Sequence, residues 1–268
     1  DLSRQHSRAP MSILDVIMNE RRVAVDAARA EIPLKQLQEM ASGRQHHSLK
    51  ARLRDMPGTH IIAEMKKASP SAGVMQDDYN PAEIAACYLE NGAVGISVLT
   101  EPLHFLGRGS DVQTVRSIVD LPILRKDFMC HPYQIAEAAA WGADVILLIA
   151  AALRDDEMQQ LYTSALEAGL DVLAEVHTRE ELDRVLPLSE AIVGVNSRNL
   201  KTLTTDLAVA HELAEFIPES RISIAESGIR NRSEIESLQA VGYDGFLIGE
   251  ALVSHDDPGG RLKLLMGG

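Results

Sequence analysis

Seven side chains that can move, accept or steady a proton recur at one kind of place in this chain. Glu64, Lys66, Lys126, Glu175, Asn196, Arg198 and Glu226 each stand at, or just past, the end of a short aliphatic run. Residues two apart in an extended segment face the same side. Ile62, Glu64 and Lys66 therefore share one face, opposite Ile61, Ala63 and Met65. The same spacing joins Leu124 to Lys126, Leu173 to Glu175, Asn196 to Arg198, and Ile222 and Ile224 to Glu226. One buried charge of this kind would suit a structural ion pair. A ring of acids, bases and an amide points instead to general acid–base chemistry, with proton donors and acceptors on both sides of one bound molecule. Desolvation or a neighbouring cation lowers a lysine pKa and neighbouring glutamates raise it, so the net sign stays open at this level.

The elements that must position this ring are legible from the pattern. Eight aliphatic or β-branched runs are predicted as strands: His60–Met65, Val94–Leu99, Pro122–Arg125, Asp144–Ile149, Asp171–Val176, Ala191–Val195, Arg221–Ala225 and Asp244–Ile248. Helical periodicity fills the intervals, as in Pro81–Asn91, Gln134–Trp141, Asp155–Ala168 and Ser233–Ala240. Asn-Gly-Ala, Trp-Gly-Ala and Val-Gly-Tyr precede Val94, Asp144 and Asp244, where a glycine suits the end of the preceding helix. Eight such units, with no Gly-x-Gly-x-x-Gly turn after the first strand, predict a closed (βα)8 TIM barrel rather than an open doubly wound sheet. In that fold the active site lies at the C-terminal ends of the strands, where the seven side chains fall.

The 268 residues match the ~250 typical of one such barrel. Residues 12–268 are read as one barrel domain, with a helical segment over 12–55 packed across one end and Ser12 capping its first helix through about Ala30. Residues 1–11 are read as a flexible extension, polar through Pro10 and without the apolar core of a signal peptide. A net charge of −13 argues against a nucleic-acid partner, and no apolar run approaches a membrane span. Two cysteines in no metal or redox spacing favour a reduced, cytoplasmic setting. His46–His47 falls in a polar connector and is read as solvated loop rather than metal ligand. The last two strands add Glu226-Ser227-Gly228-Ile229 and Ile248-Gly249-Glu250-Ala251, small residues at helix starts, where barrels commonly bind phosphate.

Short motifs follow nearly every strand in order: Ala63-Glu64-Met65-Lys66-Lys67-Ala68-Ser69-Pro70-Ser71, Leu99-Thr100-Glu101, Leu124-Arg125-Lys126-Asp127-Phe128, Ala174-Glu175-Val176, Gly194-Val195-Asn196-Ser197-Arg198-Asn199-Leu200 and Ala225-Glu226-Ser227-Gly228-Ile229. Together they resemble the indole-3-glycerol phosphate synthase family from about residue 12 onward. The resemblance implies decarboxylation and cyclisation of the phosphosugar 1-(2-carboxyphenylamino)-1-deoxyribulose 5-phosphate, with loss of carbon dioxide and water and with no metal or organic cofactor. It implies Lys126 as general acid for ring closure and Lys66 as the lysine that binds the substrate carboxylate and helps the dehydration. Glu175 and Glu64 are implied as catalytic carboxylates, with Asn196 grouped beside them. Arg198, Glu226 and Ser71 are expected on the substrate, Phe105 and Phe128 beside its aromatic ring, and Ser69, Ser227, Gly228, Gly249 and Glu250 at its phosphate.

Two departures bear on the phosphate. Ala68 stands where some family members carry a further lysine, and Glu250 where some carry a serine. An acid repels phosphate, so Glu250 is expected to help through its backbone N–H with its carboxylate turned away. Alternatives are another phosphosugar barrel (an isomerase, or an aldolase using Lys126) and a non-catalytic scaffold. Cys130, four residues past Lys126, is too far along for the isomerase's cysteine. A monomer is the expected assembly.

Overall fold

A computed structural model describes residues 11–268 of the chain; apart from Met11, the extension expected over residues 1–11 lies outside them. Eight parallel strands close into a barrel: β1 Ile61–Met65, β2 Gly95–Leu99, β3 Ile123–Lys126, β4 Val145–Ile149, β5 Asp171–Val176, β6 Ile192–Asn196, β7 Ser223–Glu226 and β8 Gly245–Ile248. Each pairs with its neighbours in sequence, and β8 closes on β1 through Ile61–Phe246 and Ala63–Ile248. All eight strands expected from the sequence are present. Outward residues such as Ile61, Ala63 and Met65 are fully buried under the helices. Gly142 ends its helix with φ 95°, the left-handed turn that residue type permits.

The residues before β1 form α1 Ile13–Glu31, α2 Leu34–Ala41 and α3 Leu49–Asp55. Ser12 caps α1 through a reciprocal pair with Asp15. This segment does not lie across one end of the barrel, as its length and position suggest; it reaches both. Ile13, Leu14 and Ile17 of α1 sit over the C-terminal face. The chain then descends the outside, where Tyr133 Oη donates to the carbonyls of Ala28 and Ile32. Leu49 and Leu53 of α3 finally pack beneath Gly95 and Gly245 at the floor.

The floor also corrects the reading of His46 as solvated loop. Its ring lies 3.5 Å from Asp144 and 3.7 Å from Asp171, at the starts of β4 and β5. Those two carboxylates, with Arg44 3.1 Å from Asp144, fasten the connector to the barrel. They hold the His46 imidazolium, whose pKa rises to about 9.

Candidate active site

Inside the barrel the odd-numbered strands contribute side chains in layers of four. Ile62, Leu124, Leu173 and Ile224 make an apolar layer, each almost completely buried. One step higher, the same strands supply Glu64, Lys126, Glu175 and Glu226, so the layer at the mouth consists entirely of charge-bearing side chains. Lys126 Nζ lies 3.4 Å from Glu64 and 3.3 Å from Glu226. Lys66 Nζ reaches the other Glu64 oxygen at 3.5 Å. Asn196 donates to Glu175 at 3.0 Å, and its own oxygen takes the Arg198 N–H at 2.9 Å. Gly194, inward on β6, leaves the space that Glu226 Oε1 fills, and a Cβ there would collide with it.

Four groups in one layer do not titrate alike. Burial works to raise the Glu64 carboxyl, but Lys126, Lys66 and the Ser97 hydroxyl outweigh it and hold Glu64 below the usual carboxylate range. Burial likewise works against the Lys126 ammonium, and the charges of Glu64, Glu226 and Glu175 outweigh that, raising its pKa. The sign left open by the sequence is therefore settled: Lys126 is a held ammonium, able to give a proton rather than to take one. Glu226 goes the other way. Burial, then the charge of Glu175, raises it well above the carboxylate range despite Lys126, which favours its protonated form. Among the described residues, Glu175 Oε2 and Glu226 Oε1 are buried without a hydrogen-bond partner, apart from any proton that the two carboxyls share.

The cleft above this layer encloses about 760 Å³. One side is aromatic and aliphatic: Phe105 and Phe128, with ring centroids 5.9 Å apart, Leu147 and Ile149 from β4, and Ile13, Leu14 and Ile17 from α1. Each phenylalanine is fixed from behind. Glu101 accepts the backbone N–H groups of Leu103, His104 and Phe105. Asp127, fully buried on the outward side of Lys126, accepts from Arg21 at 3.0 Å, Thr100 at 2.7 Å, Arg125 at 3.1 Å and the Phe128 N–H at 2.7 Å. The Arg21–Asp127 pair thus fastens α1 to the end of the strand that carries Lys126.

A second opening of about 410 Å³ continues from the cleft between β1, β7 and β8, lined by Lys66, Arg198, Ser227, Gly228, Gly249 and Glu250. Ser69 is not there. The loop after β1 folds into a two-residue antiparallel ladder, Ala68–Ser69 with Gly73–Val74. That turn draws Ser69 back beside Ser71, at 3.3 Å, on the wall of the central cleft. Nor is the Glu250 carboxylate turned away from the site. It accepts from Arg198 at 2.9 Å, a bond that holds it below the usual carboxylate range.

Of the residues expected from the sequence, Glu226 lies buried beneath the two openings and lines neither, Ser69 lines the central cleft instead of the phosphate end, and the others line one or both openings. The sequence reading missed Ser97, whose hydroxyl donates to Glu64 at 3.0 Å, and the Arg21–Asp127 anchor. Parity on β2, which turns Ser97 inward with Leu99, was the signal available for the first.

An eight-stranded parallel barrel with an acid–base layer at the carboxyl ends of its strands defines a (βα)8-barrel enzyme. Solved structures agree on the fold. A 3-hexulose-6-phosphate synthase from Salmonella typhimurium matches with TM-score 0.63 at 11% identity, over 78% of this chain and 97% of that one. A thiamine phosphate pyrophosphorylase from Pyrococcus furiosus matches with TM-score 0.57 at 16% identity, over 81% and 96%. The family is given by sequence: residues 14–265 match the family described as indole-3-glycerol phosphate synthase, and the chain belongs to it. It is 42% identical over 258 residues to the indole-3-glycerol phosphate synthase of Azospirillum brasilense (95% of this chain, 98% of that one). It is 43% identical over 260 residues to that of Rhodospirillum rubrum (95% and 99%). The family's enzymes are carboxy-lyases of tryptophan biosynthesis.

Proposed function

We propose that the charged layer carries the family reaction on 1-(2-carboxyphenylamino)-1-deoxyribulose 5-phosphate, with residues 12–268 working as one unit. The observation that carries this reading is the Lys126 ammonium held by Glu64, with Glu175 in the same layer keeping one oxygen without a protein donor among the described residues, beside an aromatic wall. The substrate's aryl ring lies against Phe105 and Phe128, its phosphate in the opening at Ser227, Gly228 and Gly249, and its carbonyl over Lys126. Lys126 protonates the carbonyl oxygen as the ring carbon bearing the carboxylate attacks. The developing alkoxide is a strong base, so even a lysine of raised pKa is acid enough to deliver that proton. Lys66 binds the carboxylate until carbon dioxide leaves, which restores an electron pair to the ring carbon–carbon bond.

Dehydration follows. The new hydroxyl departs as water with a proton from the Lys66 side, and Glu175, oriented by Asn196, takes the proton from the neighbouring carbon. Glu64 holds both lysines at working distance and stays ionised while doing so. Glu226, buried beneath the cleft between Lys126 and Glu175, helps to hold Lys126 in place, and Arg198 and Ser71 border the sugar. Free Cys87 and Cys130 support a reducing, cytoplasmic setting.

Incubation with the carboxyphenylamino-deoxyribulose phosphate is expected to give indole fluorescence. No product at high protein concentration would overturn the reading. A lysine Schiff-base aldolase, the alternative within the fold, predicts borohydride trapping of a substrate adduct on Lys126, which the general-acid reading does not.

A further inference from the structure

The side chain of Glu250 occupies an odd place. It follows the last strand, is 58% exposed, and has one polar partner among the described residues, the Arg198 guanidinium at 2.9 Å. Arg198 is itself gripped from the other side, its Nε donating to Thr205 Oγ1 at 3.0 Å. Lys66 and Arg230 also bear on the Glu250 carboxylate, so cations from three separate segments converge on one acid. They converge at the opening assigned above to the phosphate. A phosphate ester near neutral pH carries about −1.5 to −2 charges and seeks the same fork of N–H donors as a carboxylate does. Both anions cannot hold that end of Arg198 together without strong repulsion.

The structure also offers the carboxylate somewhere to go. A second cavity, of about 870 Å³, opens outward from the first and shares Arg198, Gly228 and Glu250 with it. Its outer wall carries two arginines, Arg230 and Arg261, on a protein of net charge −13. An exposed ion pair is weak and exchanges readily, so the Glu250 side chain can leave Arg198 without disturbing the barrel.

We propose that Glu250 is an internal counter-ion: it occupies Arg198 in the unliganded protein, yields to the substrate's phosphate, and swings toward Arg230 and Arg261. It thereby weakens the grip on phosphate, in substrate and in product alike. The proposal rests on the reading of the inner opening as the phosphate site.

The test measures inorganic phosphate as a competitive inhibitor of turnover in the wild type, Glu250→Gln, Glu250→Ser, Arg198→Met and the Arg198→Met/Glu250→Gln double variant. The inhibition constant is expected to fall about three- to tenfold in both Glu250 variants, and the gain to vanish in the Arg198→Met background. A gain of that size corresponds to an ion pair of ordinary strength. An unchanged or higher constant in the Glu250 variants, with phosphate still competing, would overturn the counter-ion and leave the phosphate site standing. A gain that survives in the double variant would also overturn it, showing general charge repulsion instead of competition for Arg198. Failure of phosphate to compete in any variant would remove the phosphate site itself, and the counter-ion with it.

Discussion

Both ends of the barrel carry buried acids at strand termini, and they are built on opposite plans. At the floor, one Asp144 oxygen takes Arg44 at 3.1 Å and the His47 N–H at 2.9 Å, while the other takes Arg116 at 2.7 Å and the Ile123 N–H at 3.0 Å. Asp171 takes the Ser48 hydroxyl at 3.0 Å and the Lys50 N–H at 3.2 Å. At the mouth, Glu175 and Glu226 are as deeply buried, yet each keeps an oxygen with no donor among the described residues except the proton they share. Burial therefore does not separate a structural acid from a working one. Saturation does: Asp144 has donors for both oxygens, and Glu175, on the wall of the cleft, keeps acceptor capacity for a substrate.

That contrast can be broken most sharply at Lys126. Lys126→Ala is expected to lower turnover by roughly 10²–10⁴-fold, the range for a positioned acid, with circular dichroism unchanged. Wild-type activity would end its assignment as the acid. Next come the two mouth glutamates, taken together. Glu175→Gln removes the acceptor of the final proton and is expected to cost on the order of 10²-fold or more in turnover. Glu226→Gln imitates a group that is already neutral and should cost less than a tenth of that. Equal losses in the two variants would argue against a protonated Glu226.

At the floor the readout changes from rate to stability. Asp144→Asn is expected to lower unfolding free energy by about 2–4 kcal/mol in a urea titration, because it strands donors on Arg44, Arg116 and two amides. Turnover per folded molecule should stay at the wild-type value. A drop in turnover without a stability loss would erase the distinction between the ends. The smallest effect belongs to His46, raised by hydrogen bonds with Asp144 and Asp171 to about 9. A raised basic group stabilises the fold fully below its unfolded pKa, ~6.5, and that contribution is lost as pH rises toward the folded value. Between pH 6.5 and 9 the wild type should lose on the order of 1 kcal/mol that His46→Gln never had, after discounting for partial exposure. Parallel pH–stability curves would show that the imidazolium contributes nothing.

What could be seen in the sequence, and what could not, follows from the range of each signal. Strand parity and helix-ending glycines act over a few residues, so the barrel and the inward set Glu64, Lys66, Lys126, Glu175, Asn196, Arg198 and Glu226 were legible. Their chemical assignment came through motif resemblance. The partners of His46 lie about a hundred residues downstream in the chain, and Arg21 meets Asp127 across 106 positions. No local pattern encodes such meetings, so His46 looked like solvated loop and the Arg21–Asp127 anchor was not visible. Glu250 was misjudged for a related reason. Charge alone says that an acid should avoid a phosphate site, and only geometry reveals the guanidinium that draws it in.

The segment that touches both ends of the barrel also has a temporal meaning. It is synthesised before the strands it fastens, so Arg44 must wait for Asp144, and Ser48 for Asp171, 100 and 123 residues later. Closing loops of that length is slow and entropically unfavourable until the strands between them have assembled. A stretch made before the barrel is thus expected to be among the last to find its place. In pulse-labelled refolding, the amides of residues 47–53 should gain protection after those of β2 to β5, so that a segment made before those strands acts as their final clasp.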